Sequence, residues 1–290
     1  MVKLSIIIPT KNIPDLLDRC ISSIPDNDDI QVIAIDDNSS PEIVDFEHYP
    51  LSLHKNVELI RTYEGKGAGY ARNVGLSVAK GRWLLFADSD DYFAPNFYAV
   101  INRYIDSSAD MILFKAESVD SDTLMPANRN ENINKRIDEF MQGKITAKEA
   151  SIAVQSPWCR LIRNDFVKKN NILFDEVLAC NDTMFTTKVT CLSELVEVSP
   201  EVIYVVTQRS GSLWATRTSN PKNYLTRLKV QIKRNKYVKQ YGFKQIPIIL
   251  YLIGAWKNKF TLFLRALWIV LSKGALFQGL RYFFKDKFEN

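Results

Sequence analysis

Three runs near the N-terminus, KLSIIIPT, IQVIAIDD and RWLLFADSDD, are apolar at nearly every consecutive position, and VELIRTYE adds a shorter one. This limits the fold more than any other feature of the chain. A strand with one wet face alternates apolar and polar residues, whereas an unbroken apolar run has both faces covered. Helical patterns separate the runs. After the first, Asn12 and Pro14 supply helix-start chemistry, and Leu16, Leu17, Cys20, Ile21 and Ile24 recur at helical spacing. GKGAGYARNVGLSVAKG enters a second helix through glycines, and PNFYAVINRYID opens a third on a proline. The expected fold class is therefore α/β, a mostly parallel sheet with helices on both faces.

In such sheets ligands bind outside the carboxyl ends of the strands, where strand order reverses. That rule gathers four segments on one rim: Pro9 and Thr10, Asp36 and Asp37, the Asp88 to Asp91 stretch, and Gly65, Gly67 and Gly69 before the second helix. Residues 121–150 are rich in Asn, Asp and Glu, and are expected to form loops or short helices outside the core.

Three carboxylates, Asp88, Asp90 and Asp91, crowd one strand end and call for a positive partner. With no His or Cys beside them, oxygen donors select a hard cation, Mg2+ or Mn2+, which keeps open positions for phosphate oxygens. A nucleoside diphosphate is the ligand that fits. Capping of the next helix by Asp88 and Asp91 is the competing reading of the acids alone. The GKGAG segment matches neither the dinucleotide fingerprint nor a P-loop. It leaves two roles open, a phosphate approach with charge from Lys66 and Arg72, or a plain flexible connection. The chain has only His48 and His54, so histidine-based catalysis is not expected.

The series SIIIPTKN, VIAIDDNSS, GAGYARNVGLSVAKGRWLLFADSDD and NDTMF resembles the family 2 glycosyltransferases over roughly residues 3–215. The resemblance implies the GT-A fold and transfer of a sugar from a nucleotide-diphosphate donor, most simply a UDP-sugar, to an acceptor hydroxyl with inversion. It implies that Pro9 and Thr10 border the nucleobase, that Asp37 accepts a hydrogen bond from its ring N–H, and that Asp88 points toward the ribose or a metal-bound water; Lys66 and Arg72, from the glycine segment, are the further nucleotide-binding candidates. The resemblance further implies that Asp90 is the direct metal ligand, with Asp88 beside it, and that Asp182 is the catalytic base. The family places a Glu-Asp pair at the base; here Asn181 stands where the glutamate would be. Trp158 in PWCRLIRNDF, with Asn181, falls on the acceptor side, and RSGSL around Ser212 resembles a loop that closes over the diphosphate. The acceptor implied is a glycan or lipid-linked acceptor in cell-surface polysaccharide synthesis.

Two other functions compete. FADSDD is also the kind of motif used by aspartyl phosphatases of the haloacid dehalogenase type. Those expect it on the first strand, with Thr or Val where this chain has Tyr92. A nucleotide-sugar-binding protein without turnover is the other.

Charge divides the chain. From Arg209 onward there are 17 Lys and Arg against two acids, net +15, which leaves net −10 on residues 1–208. The domain organisation expected is 1–215 catalytic, with 1–120 for the nucleotide and 121–215 for the acceptor, followed by a helical, basic amphipathic extension over 216–290. Charges at Lys257, Lys259, Arg265 and Lys273 interrupt its apolar residues, so no membrane span is expected. Read as one helix at about 100° per residue, it sets Lys257, Asn258, Thr261, Arg265 and Ser272 on one arc. Trp256, Phe260, Phe263, Leu267 and Leu271 then gather on another. An anionic membrane surface, not nucleic acid, is the partner this suggests. Packing against the body, or oligomerisation through these helices, is the alternative. The four cysteines show no framework spacing, and one lysine before the first apolar run is too little for a secretory leader. The expected location is cytoplasmic, peripheral on the inner face of the cell membrane.

Overall fold

The computed structural model describes residues 2–46, 56–209 and 220–282. The N-terminal half runs β1 (Leu4–Thr10), α1 (Pro14–Ser22), β2 (Ile30–Asp37), β3 (Val57–Thr62), α2 (Ala68–Val78), β4 (Trp83–Phe86), β5 (Tyr92–Phe93), α3 (Phe97–Asn102) and β6 (Met111–Asp120). It continues through α4 (Glu131–Met141), α5 (Ala147–Ile152), β7 (Arg160–Arg163), α6 (Asn164–Lys169), α7 (Thr183–Leu192) and β8 (Val196–Gln208). Three helices follow, α8 (Pro221–Gln240), α9 (Ile249–Asn258) and α10 (Phe260–Ser272).

The strands form one sheet in the order β3-β2-β1-β4-β7-β6-β8-β5. Pairings among β3, β2, β1 and β4 are parallel, as is β6 with β8, while β7 runs antiparallel to both β4 and β6, and β5 to β8. Both faces are covered, as the unbroken apolar runs require. Successive residues of β1 and β4 feed opposite cores: Ile6, Ile8, Trp83 and Leu85 join α1 through Leu17, Cys20 and Ile21. Ile7, Leu84 and Phe86 join α2 through Ala71 and Leu76. Gly75 lets α2 approach closely, because a Cβ there would stand 2.6 Å from Ile7 Cγ2. All four cysteines are free thiols.

Residues 121–150 depart from expectation. They contain α4 and α5, and Ile133 and Ile137 of α4 are buried in the first core. A spacing of four puts these two on one helix face, while Asn, Asp and Glu fill the others, so average composition hid a core contact. The α5 helix starts with a capping box in which Thr146 and Glu149 satisfy each other's backbone N–H.

The C-terminal helices have a core of their own, with Leu228, Ile232, Leu252, Ala255, Leu262, Ala266 and Ile269 among its members. They are also fastened to the body. Arg234 donates to Thr187 Oγ1 of α7 at 3.2 Å and to the Ile152 carbonyl at 2.7 Å, and Lys233 pairs with Asp175 at 2.8 Å. The single continuous helix assumed for the tail is broken. Lys259 is extended at φ −162° and ψ 134°, and α10 folds back on α9. The arcs drawn for one helix therefore do not hold: Phe263 and Leu267 turn towards the local core, and Leu264 and Trp268 face outward. Among the described residues, no helix is long and apolar enough to cross a membrane.

Candidate active site

The parallel register brings the strand ends together. Thr10 lies opposite Asp36, Asp37 opposite Thr62, and Ile7 opposite Phe86, so the chain after β4 leaves the sheet beside the end of β1. Pro9 and Thr10 are buried, and the Thr10 hydroxyl has no partner among the described residues. Asp37, 4% exposed, accepts the Gly67 N–H on both carboxylate oxygens at 3.0 Å and has the Lys11 ammonium 3.6 Å away. The glycine loop thus has a definite shape. Gly65 and Gly67 take φ of +59° and +90°, which glycine adopts without the Cβ penalty.

The three carboxylates after β4 offer oxygens within 4.8 Å of one another, and their roles differ. Asp91 is fully buried and committed to the fold: the Tyr204 hydroxyl donates to it at 2.9 Å, and Thr207 donates from its N–H at 2.7 Å and its hydroxyl at 3.1 Å. Tyr204 also accepts the Asp88 N–H at 2.9 Å, so β8 holds the turn in place. Capping of α3 is not what these acids do; Asn96 precedes that helix, without a side-chain cap. Asp88 and Asp90 face outward. Arg72 holds Asp88 at 2.5 Å, and Arg209 stands 3.9 Å from Asp90. Burial raises the Asp90 carboxyl above its ordinary range, and Asp88 adds to that, while Arg129 and Arg209 pull it down. An all-oxygen donor set of clustered acids suits a hard divalent cation, with Asp90 and Asp88 as the residues able to hold it.

The sequence GAGYARN acquires a physical meaning here. Gly69, Arg72 and Asn73 share one face of α2, and each meets the segment 174–182. A Cβ on Gly69 would lie 2.3 Å from the Asp175 carbonyl oxygen. Asn73 exchanges two hydrogen bonds with the Phe174 backbone, at 2.9 and 3.1 Å. Arg72, 5% exposed, donates 2.9 Å to Asn181 while its other nitrogen holds Asp88. One guanidinium therefore joins the acidic turn to the residue beside Asp182. Asp182 sits at the N-cap position of α7, yet its side chain makes no capping hydrogen bond. Removal from water raises its carboxyl to about 6, with Arg72 opposing and Asp88 reinforcing. A carboxyl at that value is ionised above pH 6 and basic enough to take a proton. The preceding Cys180 holds a left-handed φ of +58°, uncommon for a residue with a Cβ.

Two other expected residues flank this arrangement. Lys66 is exposed, with its ammonium 4.7 Å from the centre of the Tyr70 ring. Trp158, 7% exposed, stacks on Tyr204 at 5.4 Å and 8°, a layer beneath the acidic turn. The Ser212 loop, His48 and His54 fall outside the described residues. Arg209, which bears on Asp90, is the first residue of the RSGSL segment. Sequence reasoning missed Tyr204, Thr207 and Arg129, which also bear on the acids, and Arg19, which donates 2.6 Å to the Asp90 carbonyl; no motif marks these four.

The glycosyl transferase family 2 model matches residues 5–170, more than half of the chain. The chain belongs to that family. It is 27% identical over 233 residues to a poly(ribitol-phosphate) beta-glucosyltransferase of Bacillus spizizenii, a match covering 77% of this chain and 35% of that protein. It is 26% identical to the poly(ribitol-phosphate) beta-N-acetylglucosaminyltransferase TarS of Staphylococcus aureus, covering 77% and 39%. The chain thus spans little more than a third of these relatives. Among solved structures, residues 1–349 of S. aureus TarS in complex with UDP-GlcNAc superpose with a TM-score of 0.59 at 23% identity, covering 81% of this chain and 66% of that one. A Pyrobaculum calidifontis mannosyltransferase in complex with GDP-Man and Mn2+ gives 0.57 at 14% identity, covering 93% and 75%. Both establish the GT-A fold. For a family 2 chain, the phosphatase alternative also fails on topology, since its motif would follow the first strand and here follows β4.

Proposed function

We propose that the chain is an inverting, metal-dependent glycosyltransferase using a nucleotide-diphosphate sugar, with UDP-sugars favoured by the complexes of TarS. The observation that carries this reading is Arg72, which joins Asp88 of the acidic turn to Asn181 beside Asp182. The acidic turn and the segment that carries Asp182 are thereby tied to one side chain of α2, the fixed geometry that transfer between two bound substrates needs.

In the reaction, the acceptor oxygen attacks the anomeric carbon and its proton passes to the Asp182 carboxylate. The bond to the diphosphate breaks, and the electron pair leaves with the nucleotide. Attack from the face opposite the leaving group inverts the anomeric centre. Asp37, Pro9 and Thr10 orient the base. When bound to Asp90 and Asp88, a divalent cation supplies positive charge against the departing diphosphate. The names of the relatives support a polyol phosphate chain such as poly(ribitol-phosphate) as acceptor; a lipid-linked glycan of cell-surface polysaccharide synthesis is the acceptor expected from the sequence, and the expected place of work is the cytoplasmic side of the membrane.

Calorimetric titration of UDP, in Mn2+ and then in EDTA, tests the donor half. Binding that needs the cation supports it, and equal affinity in both removes the metal role. Incubation with UDP-sugars tests turnover: release of UDP that stops in Asp182→Asn while UDP affinity persists is the expected result. A donor-binding protein without turnover is left if no UDP-sugar is consumed with any polymer acceptor.

A further inference from the structure

The outward side of the α9–α10 hairpin is apolar although the hairpin already has a core. Leu252 and Ala255 of α9 and Leu262, Ala266 and Ile269 of α10 are buried in that core. The exposed apolar stripes are Ile253 and Trp256 on a flank of α9 beside its buried pair, and Phe260, Leu264, Trp268 and Leu271 on the side of α10 opposite its buried residues, at helical spacings of three and four. Their exposures run from 41% for Ile253 to 72% for Trp268. The stripes meet at the corner, where Trp256 and Phe260 touch edge to face with ring centres 5.5 Å apart. A contiguous apolar surface of this kind marks an interaction site on a protein otherwise able to bury such side chains.

Charge identifies the partner. From Val202 to Lys285 the sequence has no Asp or Glu, and Lys257, Lys259, Arg265 and Lys273 are exposed beside the stripes. We propose that this face docks flat on an anionic phospholipid bilayer, with the tryptophan and phenylalanine rings at headgroup depth and the cations on the lipid phosphates. Aromatic and aliphatic side chains on one side, flanked by Lys and Arg with no acid, are the composition of an interfacial helix. Helices of 10 and 13 residues are too short to span a bilayer, so they lie in its plane. A second copy of the chain fits less well, because a two-fold contact would bring the same cationic rims together. The inference stands apart from the sugar-transfer reading, since none of these residues belongs to the site.

Co-sedimentation of the full chain with phosphatidylcholine vesicles, with and without phosphatidylglycerol, tests it. The chain is expected to pellet with the anionic vesicles and to be only partly released by high salt, the residue being the apolar contribution. Lys257→Gln/Lys259→Gln/Arg265→Gln is expected to weaken binding about 10²-fold at low salt, from roughly fivefold per cation near an anionic surface. Trp268→Ser/Leu264→Ser is expected to remove the salt-resistant part. UDP binding and the unfolding temperature serve as controls for both. If either variant fails to fold, brominated lipids decide with the unaltered chain, whose tryptophan fluorescence they are expected to quench. A chain that stays in the supernatant, partitions equally on neutral and anionic vesicles, or is not quenched overturns the proposal. So does a stable dimer in sedimentation velocity that Trp268→Ser dissolves and that does not bind vesicles.

Discussion

At the sheet rim, carboxylates are drawn out of water and fixed; at the C-terminal hairpin, tryptophans and phenylalanines are left in it. Asp91 is fully buried and Asp37 nearly so, and each is held by named N–H or O–H donors, whereas Trp268 and Phe260 project from helices whose inner faces are already packed. Both arrangements cost free energy in the isolated chain, since burying charge and exposing apolar area each run against solvation. They differ in what offsets the cost. The rim does so internally, through Arg72, Tyr204, Thr207 and the Gly67 N–H, so its geometry exists before any ligand arrives. Nothing within the described chain covers the hairpin face. The rim is therefore a fixed polar geometry, and the hairpin face an apolar surface without cover among the described residues, which is the contrast on which the docking proposal rests.

Substitutions sharpen or break that contrast. The largest effect is expected at Asp182: Asp182→Asn should lower transfer by about 10²–10⁴-fold, the range of general base catalysis, with UDP affinity retained. For the unaltered chain, the transfer rate should rise with pH through about 6 and then level off, because the carboxyl must be ionised to accept a proton. A flat profile from pH 5 to 8 would remove Asp182 from that role. Asp90→Asn should cost about 10²–10³-fold through weaker stabilisation of the leaving diphosphate, and should reduce UDP affinity in Mn2+ but not in EDTA. Equal losses in both would mean that Asp90 supports the fold and not the cation.

Gly69→Ala tests the α2 clamp. A Cβ 2.3 Å from the Asp175 carbonyl forces the loop before Asp182 to move, at a cost of about 1–3 kcal/mol in stability, read by denaturant unfolding. Asn73→Ala should cost about 1 kcal/mol, since it frees the Phe174 backbone from two hydrogen bonds. Transfer should fall in both while Asp182 itself is intact. The smallest effect belongs to the other region: Trp268→Ser should change stability by no more than about 0.5 kcal/mol, as for an exposed side chain with no structural duty. A loss of several kcal/mol there would show that the hairpin face is packing surface after all, and the contrast between the two regions would disappear.

Local pattern alone determined the first four strands, the two helices between them, and the rim on which Thr10, Asp37, Asp88 and Asp90 collect. Runs without alternation must be buried on both faces, and the ends of parallel strands must share an edge, so short windows of sequence suffice. The glycines of GKGAG were visible, but not their reason, because the close approach of Gly69 is to Asp175, more than 100 residues later. The same distance hid Tyr204 and Thr207, which reach Asp91 across 113 and 116 positions. In the tail, composition showed basic and aromatic residues but not their faces. Helical periodicity carries direction only while the helix continues, and one extended residue at Lys259 turned α10 back on α9. Which side chains entered the core and which met solvent was settled by that packing, a contact between two helices that no single window contains.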